Sequence, residues 1–246
     1  MKKKLVIIVF ICFIMVSNIF SDDFGSLINN YVKNQKKIRT FIGRGSITVM
    51  MMNSENNLMH EIESSISLYM KYPDLFKLIV ENPARTVMVQ KGNLMSQKIE
   101  GVDTIITKEV DENSDLFKKY FNYGIEDTID TTQIESQTIL NENGLVKFRI
   151  KPQEHDESDV NNQYGFTIDY TEMYFNSNDM LTKIIVYSDD KEMIKTEMQF
   201  MEKDGIFVAK QIRTETYANN MKIINIIEYD AVNLNTEILD KEFEIR

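Results

Sequence analysis

The chain has 246 residues, 43% hydrophobic and 27% charged, with 38 acidic against 28 basic side chains and a formal charge of −10. That balance argues against a nucleic-acid ligand, whose binding rests on cationic contacts to phosphate, and against standing adsorption to anionic lipid. One cysteine and two histidines leave little material for disulfide, thiol or histidine–metal chemistry.

The first 21 residues read as an export signal. Lys2, Lys3 and Lys4 form a basic start, an apolar run from Leu5 to Val16 follows, and small Ser21 precedes Asp22 and Asp23. This layout predicts cleavage after Ser21, the apolar run being shorter than the ~20 residues a membrane span needs. Cys12 sits inside that run behind Ile11, where a lipidation site wants a small residue, so it reads as a discarded signal-peptide cysteine. Without the signal the counts are 25 basic and 38 acidic, a charge of −13, with no cysteine left. No second apolar segment is long enough to re-enter a membrane, and the mature product is expected to be soluble. Its 225 residues suit one large all-β domain or two smaller ones.

From Asp22 to Arg39 the pattern is helical. Phe24, Leu27, Ile28, Tyr31 and Ile38 mark an apolar stripe, with acids at the start and Lys33, Lys36, Lys37 and Arg39 at the end. The next block alternates with period two: Phe41, Gly43, Gly45, Ile47, Val49 and Met51 share one face. After a polar turn at Asn53–Asn57, Ile62, Ile66, Leu68, Met70 and Tyr72 face one way, and Ser65, Ser67, Tyr69 and Lys71 the other. Phe76, Leu78 and Val80 follow Pro73, then a strand over Thr86–Gln90, a turn at Lys91-Gly92-Asn93 and a strand over Leu94–Glu100. Such alternation is the mark of antiparallel sheet with one buried face, joined by tight hairpins.

Asp111–Tyr123 breaks the pattern: Leu116, Phe117, Tyr120 and Phe121 form an apolar helical face that is expected to pack across a sheet opening. Strands resume at Ile134–Asn141, Leu145–Lys151, Tyr164–Phe175, Leu181–Ser188, Ile194–Glu202, Ile206–Tyr217, Lys222–Val232 and Phe243–Ile245. Turns are expected at Asn143-Gly144, Asp204-Gly205 and Asn219-Asn220, and the acidic stretch Gln153–Asn162 should be a solvated loop. Ten or more strands with two or three helices imply a large sheet that curls or closes.

Little in the sequence points to catalysis. His60 lies in a strand beside Glu61 and Glu63, and His155 in the acidic loop, with no ligand-spaced metal set around either. The acidic clusters Asp111-Glu112-Asp115 and Asp156-Glu157-Asp159 lack the spacing and glycine of a calcium loop. No phosphate loop, nucleophile elbow or serine–histidine–aspartate set is visible, and no tryptophan offers a sugar platform. A carboxylate-based hydrolase stays a minority reading. The mature chain does keep 13 methionines, three of them consecutive at Met50, Met51 and Met52. Methionine suits surfaces that adapt to variable apolar ligands, and it also fills ordinary cores.

The stretch Ser67-Leu68-Tyr69-Met70-Lys71-Tyr72-Pro73-Asp74-Leu75-Phe76-Lys77 resembles the strand–Pro–strand segment of the LolA-like outer-membrane lipoprotein carrier family. The Val87–Val89 strand before Lys91-Gly92-Asn93 looks like that family's next hairpin, and Asn235-x-x-Ile238-x-Asp240-x-x-Phe243 is similar to its ending. The resemblance implies a mostly β single domain over 22–246: an unclosed, strongly curved antiparallel barrel with an N-terminal helix and short lid helices over its concave face. It implies a periplasmic, monomeric, non-enzymatic carrier without cofactor or metal. Such a carrier takes acylated lipoproteins from an inner-membrane lipoprotein-release transporter toward an outer-membrane acceptor. By alternation the acyl-chain walls would be Ile47, Val49, Ile66, Leu68, Met70, Phe76, Leu78, Val87 and Val89, and the lid Leu116, Phe117, Tyr120 and Phe121. Tyr72 takes the lid-contact position before Pro73, where the better-known carriers place an arginine. The alternative within the same fold is an envelope sensor that binds lipid or lipoprotein and a protein partner.

Overall fold

The computed structural model describes residues 24–110, 134–140, 144–151, 167–218 and 221–245. The expected signal, the 111–123 helix, the 153–162 loop and the Asn219-Asn220 turn therefore lie outside the described residues. The fold is mostly β and antiparallel, with one α-helix, α1 (24–35), among the described residues. Contacts divide it into two compact units, one from residues up to Val32 and from 125 to Lys191, the other from Lys33 to 124 and from Glu192 onward.

In the first unit, β7 (Ile134–Leu140), β8 (Leu145–Ile150), β9 (Tyr170–Phe175) and β10 (Leu181–Ser188) pair in that order. The start of α1 seats Phe24 against Phe148 and Phe175, with ring centroids 4.5 and 6.1 Å away and all three rings buried. Tilted and edge-on packing of this kind suits the aromatic quadrupole. Asn30 Nδ2 donates to Asp179 Oδ2 at 2.8 Å and fixes the helix at its polar side.

The second unit holds β1 (Thr40–Met52), β2 (Leu58–Lys71), β3 (Leu75–Val80), β4 (Thr86–Lys91), β5 (Leu94–Ile99) and β6 (Ile106–Glu109). It also holds β11 (Lys191–Lys203), β12 (Ile206–Ala218) and β13 (Met221–Leu234). Their order is β6-β5-β4-β3-β2-β1-β13-β12-β11. Among the described residues β6 pairs only with β5, and in the first unit β7 pairs only with β8, so the ladder is unclosed. β6 is a four-residue exposed edge strand that the sequence pattern did not suggest.

The expected helix to Arg39 stops at 35. Lys37 N and Ile38 N bond back to Asn34 O and Gln35 O in a tight last turn, which releases Ile38 into the core. Asn34 ties this turn down: its Nδ2 donates to Phe207 O at 2.7 Å and its Oδ1 accepts from Phe207 N at 3.0 Å. β1 then pairs with β2 on one side and β13 on the other, slipping by one residue against β13 between Arg44 and Gly45. Bulges of this sort bend a strand and add twist. Gly45 is required at this slip, because a β-carbon there would run into the backbone of Glu228 and Tyr229. A β-carbon on Gly43 would meet the Phe41 and Tyr229 rings, which lie edge to face over that strand with centroids 5.4 Å apart.

The expected strand at Phe243–Ile245 is not formed. The chain leaves β13 at Asn235 (φ 53°), whose side chain accepts from Arg39 N at 2.7 Å and donates to Lys37 O at 3.0 Å. It then crosses one face of β3 and β4 as a strap with a short 3-10 turn at Asp240–Phe243. β2, β3 and β4 already have neighbours on both sides, so no ladder position is open to it. Lys71 Nζ donates to Ile238 O at 3.3 Å and to Asp240 Oδ1 at 2.6 Å, and Lys77 Nζ to Glu242 O and Glu244 O at 2.7 and 3.0 Å.

Candidate functional site

Residues directly opposite in an antiparallel pair share a face of the sheet. Starting from β1, Phe41, Gly43, Gly45, Ile47, Val49 and Met51 stand opposite Met70, Leu68, Ile66, Ser64, Ile62 and His60 of β2. On the other side they stand opposite Leu234, Val232, Tyr229, Ile227, Asn225 and Ile223 of β13. Phe76, Leu78 and Val80 of β3 oppose Met70, Leu68 and Ile66. One cluster gathers this face from β3 round to Ile206 and Val208 of β12, with Ile38 added at its end. This face therefore runs unbroken over five neighbouring strands, β3-β2-β1-β13-β12, its side chains packing from strand to strand.

The face is graded along the strands. Phe41, Met70 and Phe76 are sealed at one end, whereas Ile47, Val49, Ile62, Ile223 and Ile227 are half-buried, and Met51 at the far end is exposed. Ser64, the buried polar group opposite Ile47, accepts from Asn82 N at 2.8 Å and donates to Ser65 O at 3.2 Å, so it adds no unmet demand. The face is mainly apolar, with Ser64, His60 and Asn225 the polar residues opposite β1.

The structure separates the residues named from sequence into groups. Ile47, Ile66, Leu68, Met70, Phe76 and Leu78 share the one cluster, and Val49 lies on the same face beyond Ile47. Val87 and Val89 do not join them. The β3–β4 register sets Leu78 opposite Met88, so Met88 faces the cluster while Val87 and Val89 face the other way, under Ile238 and Phe243 of the strap. They are apolar because the strap covers them. Leu116, Phe117, Tyr120 and Phe121 lie outside the described residues. Tyr72 is 45% exposed, and the Arg39 guanidinium stands over its ring, 5.5 Å from the centroid. The cation beside this ring comes from Arg39, the residue before β1. The residues that the sequence reading missed are Tyr229, Val232, Ile227, Ile206 and Val208; their own alternation was visible, but the pairing of β13 with β1 was not.

Two buried glutamates carry most of the polar organisation, one in each unit. Glu172 on β9 accepts from Arg149 at 2.9 Å, Lys147 at 3.2 Å and Tyr174 at 2.7 Å. Burial pushes its pKa up, but these donors outweigh burial and hold the carboxyl below its ordinary value. Arg149 also stacks over Tyr170, itself stacked on Tyr187 at 4.5 Å. Glu215 on β12 accepts from Lys222 at 2.6 Å and Arg213 at 2.8 Å, with the same balance and the same direction of shift. Each carboxylate is thus held in a network of two cations. Among the described residues no group of three or more His, Cys, Asp or Glu side chains is placed to hold a metal ion. An open cleft of about 310 Å³ is lined by Arg85, Val87, Lys98, Ile99, Glu100, Gly101, Val102 and Asp103, a mixed set that shares no residue with the β1–β3 cluster.

A mostly β antiparallel fold with an unclosed ladder and one α-helix among the described residues is found in solved structures. Among them are a LolA superfamily protein from Nitrosomonas europaea (12% identity, TM-score 0.56, 88% of this chain and 96% of that one) and a DUF1329 family protein from Desulfovibrio piger (9%, 0.56, 89% and 96%). A third is an outer membrane lipoprotein-sorting protein domain from Vibrio parahaemolyticus (7%, 0.54, 89% and 94%). At such identities the likeness is one of fold. No family model and no curated protein matches the sequence. Among the described residues no helix is long and apolar enough to cross a membrane.

Proposed function

We propose that this protein is a periplasmic carrier that shields lipoprotein acyl chains on this apolar face while they pass from an inner-membrane transporter to an outer-membrane acceptor. The observation that carries the reading is the graded face itself: sealed at Phe41, Met70 and Phe76, and half-open along Ile47, Val49 and Ile227. Each acyl methylene withdrawn from water there is worth about 0.8 kcal/mol. Four or five methylenes on the half-open stretch would contribute roughly 3–4 kcal/mol, a hold strong enough for transit and weak enough for release. The face needs no catalytic group for this. The nearness in fold to a lipoprotein-sorting domain supports the choice of cargo.

Incubation of the mature protein with inner-membrane vesicles bearing a labelled lipoprotein tests the proposal. A soluble complex between the two is the expected product. If the folded protein leaves all of the lipoprotein in the vesicles, the reading is wrong.

A further inference from the structure

The apolar face carries methionine at both of its ends, in opposite environments. Met70 is fully enclosed at the sealed end, opposite Phe41 and Phe76. Met51 occupies the other end of the same face, ten residues along β1 from Phe41 or about 33 Å of strand, and is 38% exposed. It stands opposite Ile223 of β13. Met221, two residues before Ile223 and so on the same side of that strand, is 41% exposed. Two accessible thioethers thus border the half-buried stretch through which an apolar ligand would enter.

We propose that Met51 and Met221 form an oxidant-sensitive rim whose conversion to methionine sulfoxide weakens the hold on an apolar ligand. The inference rests on the carrier reading above and adds a means of regulating it. The oxidant class is a two-electron oxygen donor such as hypochlorous acid. Its oxygen forms a bond to the thioether sulfur, which is oxidised by two electrons; the oxygen–chlorine bond breaks, chlorine is reduced to chloride, and the hydroxyl proton is released. A flexible apolar group becomes a polar one that keeps its water, so the mouth of the face loses apolar contact area. Sulfoxide reductases reverse the step.

Met59 tests exposure against position. It is 62% exposed, and the β1–β2 register slips at it: Met51 stands opposite His60 and Met52 opposite Leu58, so Met59 has no residue opposite it on β1 and lies outside the Met51–Ile223 pairing. On the proposal its oxidation contributes little to the loss of binding.

The test treats the full mature chain with about three equivalents of hypochlorous acid per chain, one for each exposed methionine, maps sulfoxide by peptide mass spectrometry, and titrates a dansylated C11 fatty acid before and after. Met51, Met59 and Met221 should oxidise while Met70 does not, and probe affinity should fall about tenfold and recover with sulfoxide reductases. The M51L/M221L variant, whatever its starting affinity, should lose none of it on treatment; M59L should lose affinity like wild type. Unchanged affinity after Met51 and Met221 are oxidised, or oxidation of Met70 ahead of them, overturns the inference while sparing the carrier reading. An untreated wild type that does not bind the probe overturns both.

Discussion

Phe76 stands directly opposite Met70 in the β2–β3 ladder, and neither side chain reaches solvent. The sealed end of the apolar face is thus occupied by the protein's own core. On the carrier proposal a ligand would lie along the half-buried stretch beyond it. Phe76→Ala should therefore act first on stability, costing about 3–5 kcal/mol as a buried aromatic lost to a cavity. Urea titration of the two proteins measures this, and a cost below about 1 kcal/mol would show that the pair does not form the core described. Phe76→Glu, which buries a charge at the same place, should be harsher still and should also impair cargo handling.

Ile47 and Ile227 face each other across β1 and β13 and are half-buried. Replacing either with Asn should cost only about 1–2 kcal/mol of stability. The same changes should weaken binding of a fatty-acid probe tenfold or more. Fluorescence titration beside thermal melting separates the two effects, and unchanged binding in both variants would remove this stretch from the site.

Glu172 should give the protein a pH dependence of predictable sign. Its carboxyl is held below the ordinary value, so the stability it contributes is complete above about pH 4.3, the usual glutamate range, and is lost as pH falls through its folded pKa. Glu172→Gln should cost on the order of 2 kcal/mol at neutral pH. The variant should then lose less stability than wild type on acidification from pH 5 to pH 3. Parallel acid-unfolding curves for the two proteins would count against this role.

The strap predicts a local effect. Phe243 is fully enclosed between the strap and β4, and Lys77 holds two strap carbonyls. Phe243→Ala should release the segment after Asn235, exposing Lys241 to trypsin well before the strands are cut. Cleavage at wild-type rate would mean that the strap is held by its polar contacts alone.

These positions also explain what the sequence could and could not reveal. Period-two alternation placed Phe41, Ile47 and Met51 on one face, and Ile66, Leu68 and Met70 on one face, because a half-buried sheet imposes that period locally. Val87 and Val89 misled because their apolar character answers to Ile238 and Phe243, about 150 residues later in the chain. The alternation of Thr86–Gln90 fits either face, and only the Leu78–Met88 register decides. The same distance hid Tyr229, whose place over Gly43 depends on β13 pairing with β1. β6 left no signal, since four exposed residues have no buried face to pattern. Arg39 read as the basic end of a helix, but the tight turn at Asn34–Ile38 sends it to Tyr72 instead.

The central claim is that the apolar face of this protein carries acyl chains. Mass spectrometry of solvent extracts from protein purified out of its native envelope, compared with the I47N variant purified identically, tests it most directly. Acyl chains or an acylated protein recovered near stoichiometry with wild type and depleted in the variant is the predicted result. Wild-type protein free of any acylated molecule, or equal recovery from both proteins, would contradict the account.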